Sequence, residues 1–292
     1  MILSSTSATT HAGGALLLAG VTLALYGLAA LPAAMPSHAA GQTWRRLGAA
    51  ALLGAFVLHL LLLLIDIAGV ESASLGRAHG MRWGFGPVLS MTVWLMIAVH
   101  TVESRFLPLP TVRLVLALAG IAGVVAALLF PGDIRQPGSP LAPLHFALGV
   151  GSYGLFAAAV LHASLLDRAE RRLRSGAASP RTAAPAGAPA GLPLLQLERL
   201  TFRFVEAGFV VLTLTLALGA FTAAQEVRWR WDHKSVFSLL AWGVFAALLV
   251  GRHRRGWRGR QATRWLYVGA ALLLLAYVGS RFVLEVVLGR GT

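Results

Sequence analysis

Long apolar segments dominate this chain. Eight of them approach the roughly 20 residues that an α-helix needs to cross a hydrocarbon core about 30 Å thick. They run from Ala12 to Leu31, Leu47 to Ile65, Phe85 to Val102, Val112 to Phe130, Leu141 to Leu166, Phe204 to Ala224, Ser235 to Val250 and Trp265 to Val287. Hydrophobic residues make up 57% of the sequence and charged residues 12%, a composition that excludes an ordinary water-soluble domain. The sequence therefore predicts an all-α, polytopic membrane helix bundle of about eight transmembrane helices.

The positions of the basic residues predict how this bundle is oriented. If the N-terminus is outside, about two thirds of the Lys and Arg residues fall in loops that face the cytoplasm, as the positive-inside rule requires. An even number of spans then places both termini on the outer, periplasmic face of a bacterial inner membrane. The longest connection, at about residues 167–203, is rich in Ala, Pro and Gly. It predicts a flexible cytoplasmic linker within a single membrane domain over residues 1–292.

Composition also argues against several functions. The net charge of +14 follows mainly from orientation, and the short basic stretch from Arg252 to Arg264 favours contact with lipid headgroups over nucleic acid. The chain has no cysteine, so it offers no thiol redox chemistry and no covalent attachment of haem. No nucleophile with an adjacent base is recognisable, and the carboxylates are scattered. We therefore expect a protein that is not an enzyme.

Histidines within the spans are the first candidates for a site, because ionisable residues inside a membrane are costly. His59 lies in the outer half of the second span, and His145 lies about one turn below the outer end of the fifth. His100 and His162 lie near the cytoplasmic ends of their spans, where they form a rival, inner pair. The alternative for His59 and His145 is a simple hydrogen bond to a neighbouring helix.

A dense aromatic and charged hexapeptide, Trp229 to Lys234, lies between the sixth and seventh spans, on the same predicted side as His59 and His145. Two neutral imidazoles suit axial ligation of haem iron, and flat indoles suit packing against a porphyrin. Neighbouring guanidinium groups suit pairing with propionates. The same residues would also serve as an interfacial aromatic belt with headgroup contacts, and Asp232 as a helix cap. From the residues alone, the ligand stays open.

Several motifs resemble one known family. The segment from Trp229 to Trp242 resembles the tryptophan-rich WWD segment of the cytochrome c assembly family, which includes CcmC, CcsA and HemX. His145, followed by Tyr153, resembles the haem-ligand helix that precedes that segment. Gly256 to Arg260 and Ala276 to Arg281 are most similar to the YpjD branch, a group of bacterial inner-membrane relatives. The resemblance extends over nearly the whole chain.

The resemblance implies a haem-binding protein of cytochrome c biogenesis that holds or presents non-covalent haem b at the outer face. The cofactor-binding residues that it implies around the hexapeptide are His145, Arg228, Trp229, Arg230, Trp231, Asp232 and His233. The family has a second external histidine after the WWD helix, where this chain has Arg281 and Glu285 instead. His59 is therefore predicted to be the second axial ligand of the iron.

The expected partners are membrane lipid, haem, and another membrane assembly factor or a haem-biosynthetic enzyme; nucleic acid is not expected. Two other functions fit the same outer polar site. One is a transporter of small solutes or lipids. The other is a structural partner of a membrane assembly complex whose haem site is degenerate.

Overall fold

Helices form nearly all of the described chain. The computed structural model describes residues 3–34, 41–68, 81–103, 112–135, 139–174, 194–225, 233–279 and 282–283. Within these ranges eight α-helices follow one another: α1 (Leu3–Ala34), α2 (Gln42–Ala68), α3 (Phe85–Glu103), α4 (Val112–Leu129), α5 (Ala142–Arg174), α6 (Leu194–Gln225), α7 (His233–Arg255) and α8 (Gly259–Leu274). A π-helical turn, Leu275–Gly279, continues α8. The all-α prediction is confirmed.

Seven of these helices, α1 to α7, are long and apolar enough to cross a membrane. They coincide with the first seven predicted spans. The eighth, from Trp265 to Val287, falls on α8 and its π-helical turn and then enters residues outside the described ranges. The chain is therefore a multi-pass membrane protein, while the count of eight spans stays a prediction.

A short two-stranded ribbon was not predicted. Strands β1 (Met81–Trp83) and β2 (Asp133–Arg135) pair antiparallel, with Arg82 opposite Ile134. Strands of three residues are too short to show the alternating pattern by which a strand is recognised in a sequence. Strand β1 comes directly before α3 and β2 follows α4. The ribbon therefore joins the N-terminal end of α3 to the C-terminal end of α4.

The chain divides into two compact units by its internal contacts. Unit 1 comprises Met1–Pro143 and Val278–Thr292, and unit 2 comprises Leu144–Tyr277. In unit 1, α1 packs on α2 and α4, and α3 packs on α2 and α4. Glycines allow the close approach of these helices, as is common between membrane helices. The prediction of a single membrane domain stays a prediction.

Unit 2 is built around a stack of two rings between two glycines. The rings of Phe156 in α5 and Phe245 in α7 lie parallel, with their centroids 3.9 Å apart. A Cβ at Gly208 in α6 would lie 3.1 Å from the Phe156 ring, and a Cβ at Gly269 in α8 would lie 2.7 Å from the Phe245 ring. The stack therefore joins all four helices of the unit, and a larger side chain at either glycine would push it apart.

Helix extends into both ends of the predicted linker. The linker is predicted at about residues 167–203, but α5 continues to Arg174 and α6 begins at Leu194. The predicted bounds are therefore too wide, because apolar periodicity marks only the part of a helix that faces hydrocarbon. The charged extension of α5 carries a Glu170–Arg174 pair of 2.9 Å, one helical turn apart, which favours helix. Residues 175–193 lie outside the described ranges.

Candidate functional site

His145 lies in the first turn of α5 and packs directly on the backbone of α6. A Cβ at Gly219 would lie only 2.9 Å from Cε1 of the His145 ring, so the site requires glycine there. The backbone of Thr215 and the positive charge of Lys234 also lie near enough to this imidazole to influence it electrostatically. Three helices, α5, α6 and α7, thus contribute to its surroundings.

The ring nitrogen Nδ1 of His145 is buried and has no hydrogen-bond partner among the described residues. A buried polar atom without a partner costs free energy, so such an atom calls for an explanation. An imidazole nitrogen with no competing hydrogen bond is what an iron ligand requires. The role of His145 as a ligand of haem iron stays a prediction.

The packing of α5 on α6 explains why His145 meets a glycine. Along α5 the residues in contact with α6 lie four and then seven positions apart, and their partners on α6 follow the same spacing in the opposite direction. The described contacts in this register pair His145 with Gly219, Gly149 with Thr215, and Phe156 with Gly208. This spacing is typical of knobs-into-holes packing between nearly antiparallel helices. This register places the His145 imidazole at the N-terminal end of the contact between α5 and α6.

His59, the second predicted ligand, lies in α2 within unit 1 and is almost completely buried, with 1% of its surface exposed. Its Nδ1 is hydrogen-bonded to the hydroxyl of Tyr26 at 2.9 Å, and its Nε2 to the hydroxyl of Ser90 at 2.7 Å. One nitrogen donates and the other accepts, in either of two tautomers. Binding of iron by His59 would therefore require release of one of these hydrogen bonds.

Sequence reasoning missed Tyr26 and Ser90. Tyr26 belongs to α1 and Ser90 to α3, so the three polar side chains join three helices. The Tyr26 ring also lies against Gly120 of α4, where a Cβ would overlap it. A tyrosine and a serine at any depth of a span are too common to signal a site by themselves. His59 and His145 belong to different units, so their convergence on one haem stays a prediction.

Most of the predicted hexapeptide site lies outside the described residues. This applies to Arg228, Trp229, Arg230, Trp231 and Asp232, whose predicted roles stay predictions. His233 is the first residue of α7 and is exposed.

The rival, inner histidines occupy different surroundings. His162 lies 17 positions after His145 on α5, about 25 Å along the helix axis. Its Nδ1 donates a hydrogen bond to the carbonyl oxygen of Ala158 at 2.7 Å. His100 lies in the last turn of α3, with 6% of its surface exposed. One haem cannot be held by both His145 and His162, because the span of α5 between them is too long.

Within the described ranges, no group of three or more His, Asp or Glu side chains is placed to hold a bare metal ion. Single imidazoles suit haem, in which the porphyrin nitrogens supply the other iron ligands.

Comparison with known sequences decides the family. The family model described as cytochrome C assembly protein matches residues 15–288, nearly the whole chain. The chain belongs to the cytochrome c assembly protein family. The predicted family resemblance is thereby confirmed, and it includes the segments that lie outside the described residues.

Several members of the cytochrome c assembly family resemble the chain. Inner membrane protein YpjD of Escherichia coli (strain K12) is 33% identical over 144 residues, 49% of this chain and 52% of YpjD. Cytochrome c biogenesis protein CcsA of Parasynechococcus marenigrum (strain WH8102) is 30% identical over 220 residues, 65% of this chain and 71% of that protein. CcsA of Synechococcus sp. (strain JA-3-3Ab) is 33% identical over 139 residues, 44% of this chain and 39% of that protein. The match to YpjD thus spans about half the length of that relative.

Proposed function

We propose that this chain is a haem-handling protein of cytochrome c biogenesis in the bacterial inner membrane, which holds or presents haem at the outer face. The observation that carries the proposal is the buried Nδ1 of His145, which packs against Gly219 and has no hydrogen-bond partner in the part of the chain that the structure describes. Family membership and relatives named for cytochrome c biogenesis support it. The inner membrane is inferred from the seven apolar helices and from the relative named inner membrane protein YpjD.

The cargo of this site is non-covalent haem b, since the chain has no cysteine to form a thioether. His145 binds the iron, and Gly219 keeps its ring in one orientation, because the imidazole lies against the helix backbone. Lys234, whose charge acts on His145, would pair with a propionate. In this proposal Trp229 and Trp231 would supply the aromatic surface for the porphyrin, and Arg228 and Arg230 would pair with its propionates. The protein acts by binding and orienting haem, without catalysing a reaction.

A second axial ligand completes the proposed site. His59 is the candidate, and it would have to exchange its hydrogen bond with Ser90 or Tyr26 for the iron. We propose that haem is passed to a further membrane assembly factor, or received from a haem-biosynthetic enzyme. Haem held by one exchangeable histidine is easier to hand on than haem with two fixed ligands, because fewer bonds must break.

The test is the absorbance spectrum of the protein, purified from a haem-replete host in mild detergent. We expect a Soret band and the pyridine haemochrome spectrum of haem b at a substantial fraction of one haem per chain. If monodisperse protein carries no haem and takes up none on titration, the proposal is wrong. A protein that folds stably without haem would then favour the alternative functions, a transporter or a structural partner of an assembly complex.

The topology of the spans gives a separate prediction. If loop charges set the orientation, reporter fusions after Gly187 and after Gly259 report a cytoplasmic location, and fusions after Gly138 and after Thr292 report a periplasmic one. Alkaline phosphatase and green fluorescent protein, used at the same four sites, serve as mutual controls because they are active on opposite sides. A cytoplasmic signal after Thr292 would mean an odd number of spans and would contradict the eight-span topology.

A further inference from the structure

The turn between α7 and α8 carries a motif, Gly256 to Arg260, that the proposed haem site does not use. Gly256 and Gly259 have φ angles of +66° and +55°, in the left-handed region that side chains disfavour. The backbone N–H of Trp257 donates to the carbonyl oxygen of Gly251 at 3.3 Å and closes the turn. The backbone path of the turn is therefore specified by its two glycines.

Two indoles hold this turn in place. The ring of Trp257 lies on Gly251, at the position that a Cβ would need. On its other side it stacks on Trp265 of α8, with centroids 5.4 Å apart and an interplanar angle of 29°. Trp265 is 36% exposed, so the pair is open to the surroundings at its edge. A rigid aromatic base thus supports the charged side chains of the turn.

Exposed arginines surround this base in residues Arg254 to Arg264, the arginine turn. Its exposed guanidinium groups, none of which has an ion-pair partner among the described residues, are those of Arg254, Arg255, Arg258, Arg260 and Arg264. The positive charge of the arginine turn is therefore available to an external anion.

The acidic side chains of α5 and α6 near this end of unit 2 are already engaged. Glu198 accepts from Arg252 at 2.9 Å, and Glu170, whose Oε1 lies near Gly259, accepts from Arg174 at 2.9 Å. Both carboxylate oxygens of Asp167 accept hydrogen bonds from hydroxyl groups of α8. Glu198 and Asp167 thus join helices and Glu170 is paired within α5, so no ion pair among the described residues neutralises the arginine turn.

The position of the arginine turn identifies its partner. Helix α7 has 23 residues and is about 35 Å long, enough to cross the hydrocarbon, and it ends at Arg255. The residues that follow therefore lie at the depth of the headgroups, which is also the depth that indoles prefer. Guanidinium groups bind phosphate bidentately.

We propose that the arginine turn is a binding site for the headgroup phosphate of an anionic phospholipid, such as phosphatidylglycerol. The bound lipid neutralises the guanidinium groups, packs along the Trp257–Trp265 pair and fixes the connection of α7 to α8. The site is distinct from a general attraction between basic loops and an anionic membrane, because two positive-φ glycines and an indole stack set the positions of the arginines.

The test measures lipid binding to the full-length protein in neutral detergent, by native mass spectrometry and by thermal stability. Phosphatidylglycerol should bind the wild type and raise its melting temperature, whereas phosphatidylcholine at the same concentration should not. Arg258→Gln/Arg260→Gln should weaken phosphatidylglycerol binding about 30-fold, since each lost hydrogen bond from a guanidinium group to the phosphate is worth about 1 kcal/mol, or about a fivefold factor. Equal binding of the two lipids by the wild type would overturn the proposal.

Arg199→Gln/Arg203→Gln is the matched control. These two exposed arginines lie near the start of α6, next to the end of α7, as the Glu198–Arg252 pair requires, and their replacement removes the same charge. We expect less than about a threefold loss of binding for this control, because these side chains would act on a lipid at the arginine turn only through a screened, longer-range field. An equal loss of phosphatidylglycerol binding in both double variants would show that the lipid responds only to the overall positive charge. That result would overturn the proposed site.

Two further arms separate the remaining outcomes. Inorganic phosphate alone should not stabilise the protein; stabilisation equal to that by phosphatidylglycerol would overturn the assignment to a lipid. If Arg258→Gln/Arg260→Gln fails to fold, Arg258→Lys/Arg260→Lys keeps the charge but loses bidentate geometry. This pair should bind phosphatidylglycerol about fivefold more weakly than the wild type, and unchanged binding would overturn the proposal.

Discussion

Replacing His145 with alanine is expected to lower haem occupancy by about tenfold or more, because even the loss of a group that only orients a metal ligand costs 10- to 100-fold. The imidazole is half-buried against Gly219, and its buried Nδ1 has no hydrogen-bond partner among the described residues. Absorbance at the Soret maximum, divided by protein concentration, gives the occupancy. His145→Ala should stay monodisperse, since the change removes no described hydrogen bond of Nδ1 and creates space rather than overlap.

Exogenous imidazole is expected to restore part of the band in His145→Ala, because it can enter the space that the side chain leaves. His162→Ala is the control on the same helix, about 25 Å away, and should keep the band. A band that survives His145→Ala but disappears in His162→Ala would move the site to the other end of α5 and contradict the assignment, even with haem bound to the wild type.

His59→Ala separates two roles of that residue. As an axial ligand, His59 would be essential for a low-spin spectrum, and its loss would shift the Soret maximum. As the centre of the Tyr26–His59–Ser90 network, its loss would lower thermal stability and leave the spectrum unchanged, since both hydroxyl groups would lose their partner. Tyr26→Phe removes one of the two hydrogen bonds and keeps the imidazole, so it should reproduce only the loss of stability.

Replacing Gly86 with alanine is expected to destabilise unit 1 by about 3 kcal/mol, at the upper end of the range for overpacking. A Cβ at Gly86 in α3 would overlap the carbonyl oxygens of Ala126 and Phe130 at the end of α4. Backbone atoms cannot turn aside as a flexible side chain can, so the two helices would have to separate. The monodisperse fraction after heating, followed by size-exclusion chromatography, measures the loss.

Gly27→Ala is the matched control in the same unit, because nothing lies within 4 Å of a Cβ at Gly27. Its melting temperature should equal or slightly exceed that of the wild type, since alanine favours helix over glycine. Equal melting temperatures for Gly86→Ala and Gly27→Ala would contradict the close packing of α3 on α4.

The position of the candidate site was partly predictable. The motif around His145 is sufficient to indicate this residue, and the structure adds the glycine that the ring contacts and a buried nitrogen that no described residue engages. The partners of His59 were not predictable, because Tyr26 and Ser90 are 33 and 31 positions away along the chain. Such contacts depend on how each helix is rotated about its own axis, and hydropathy does not specify that rotation.

Membrane-spanning helices follow from the amino-acid sequence alone, because a hydrophobic run of about 20 residues in lipid must satisfy its backbone hydrogen bonds internally. The family also follows from the sequence, through motifs that are local in the chain. Which side chains meet depends instead on the packed fold: His145 with Gly219, His59 with Tyr26 and Ser90, and β1 with β2. Membrane helices are similarly apolar on all sides, so their contacts are set by glycines and hydrogen bonds that form only when the helices are packed.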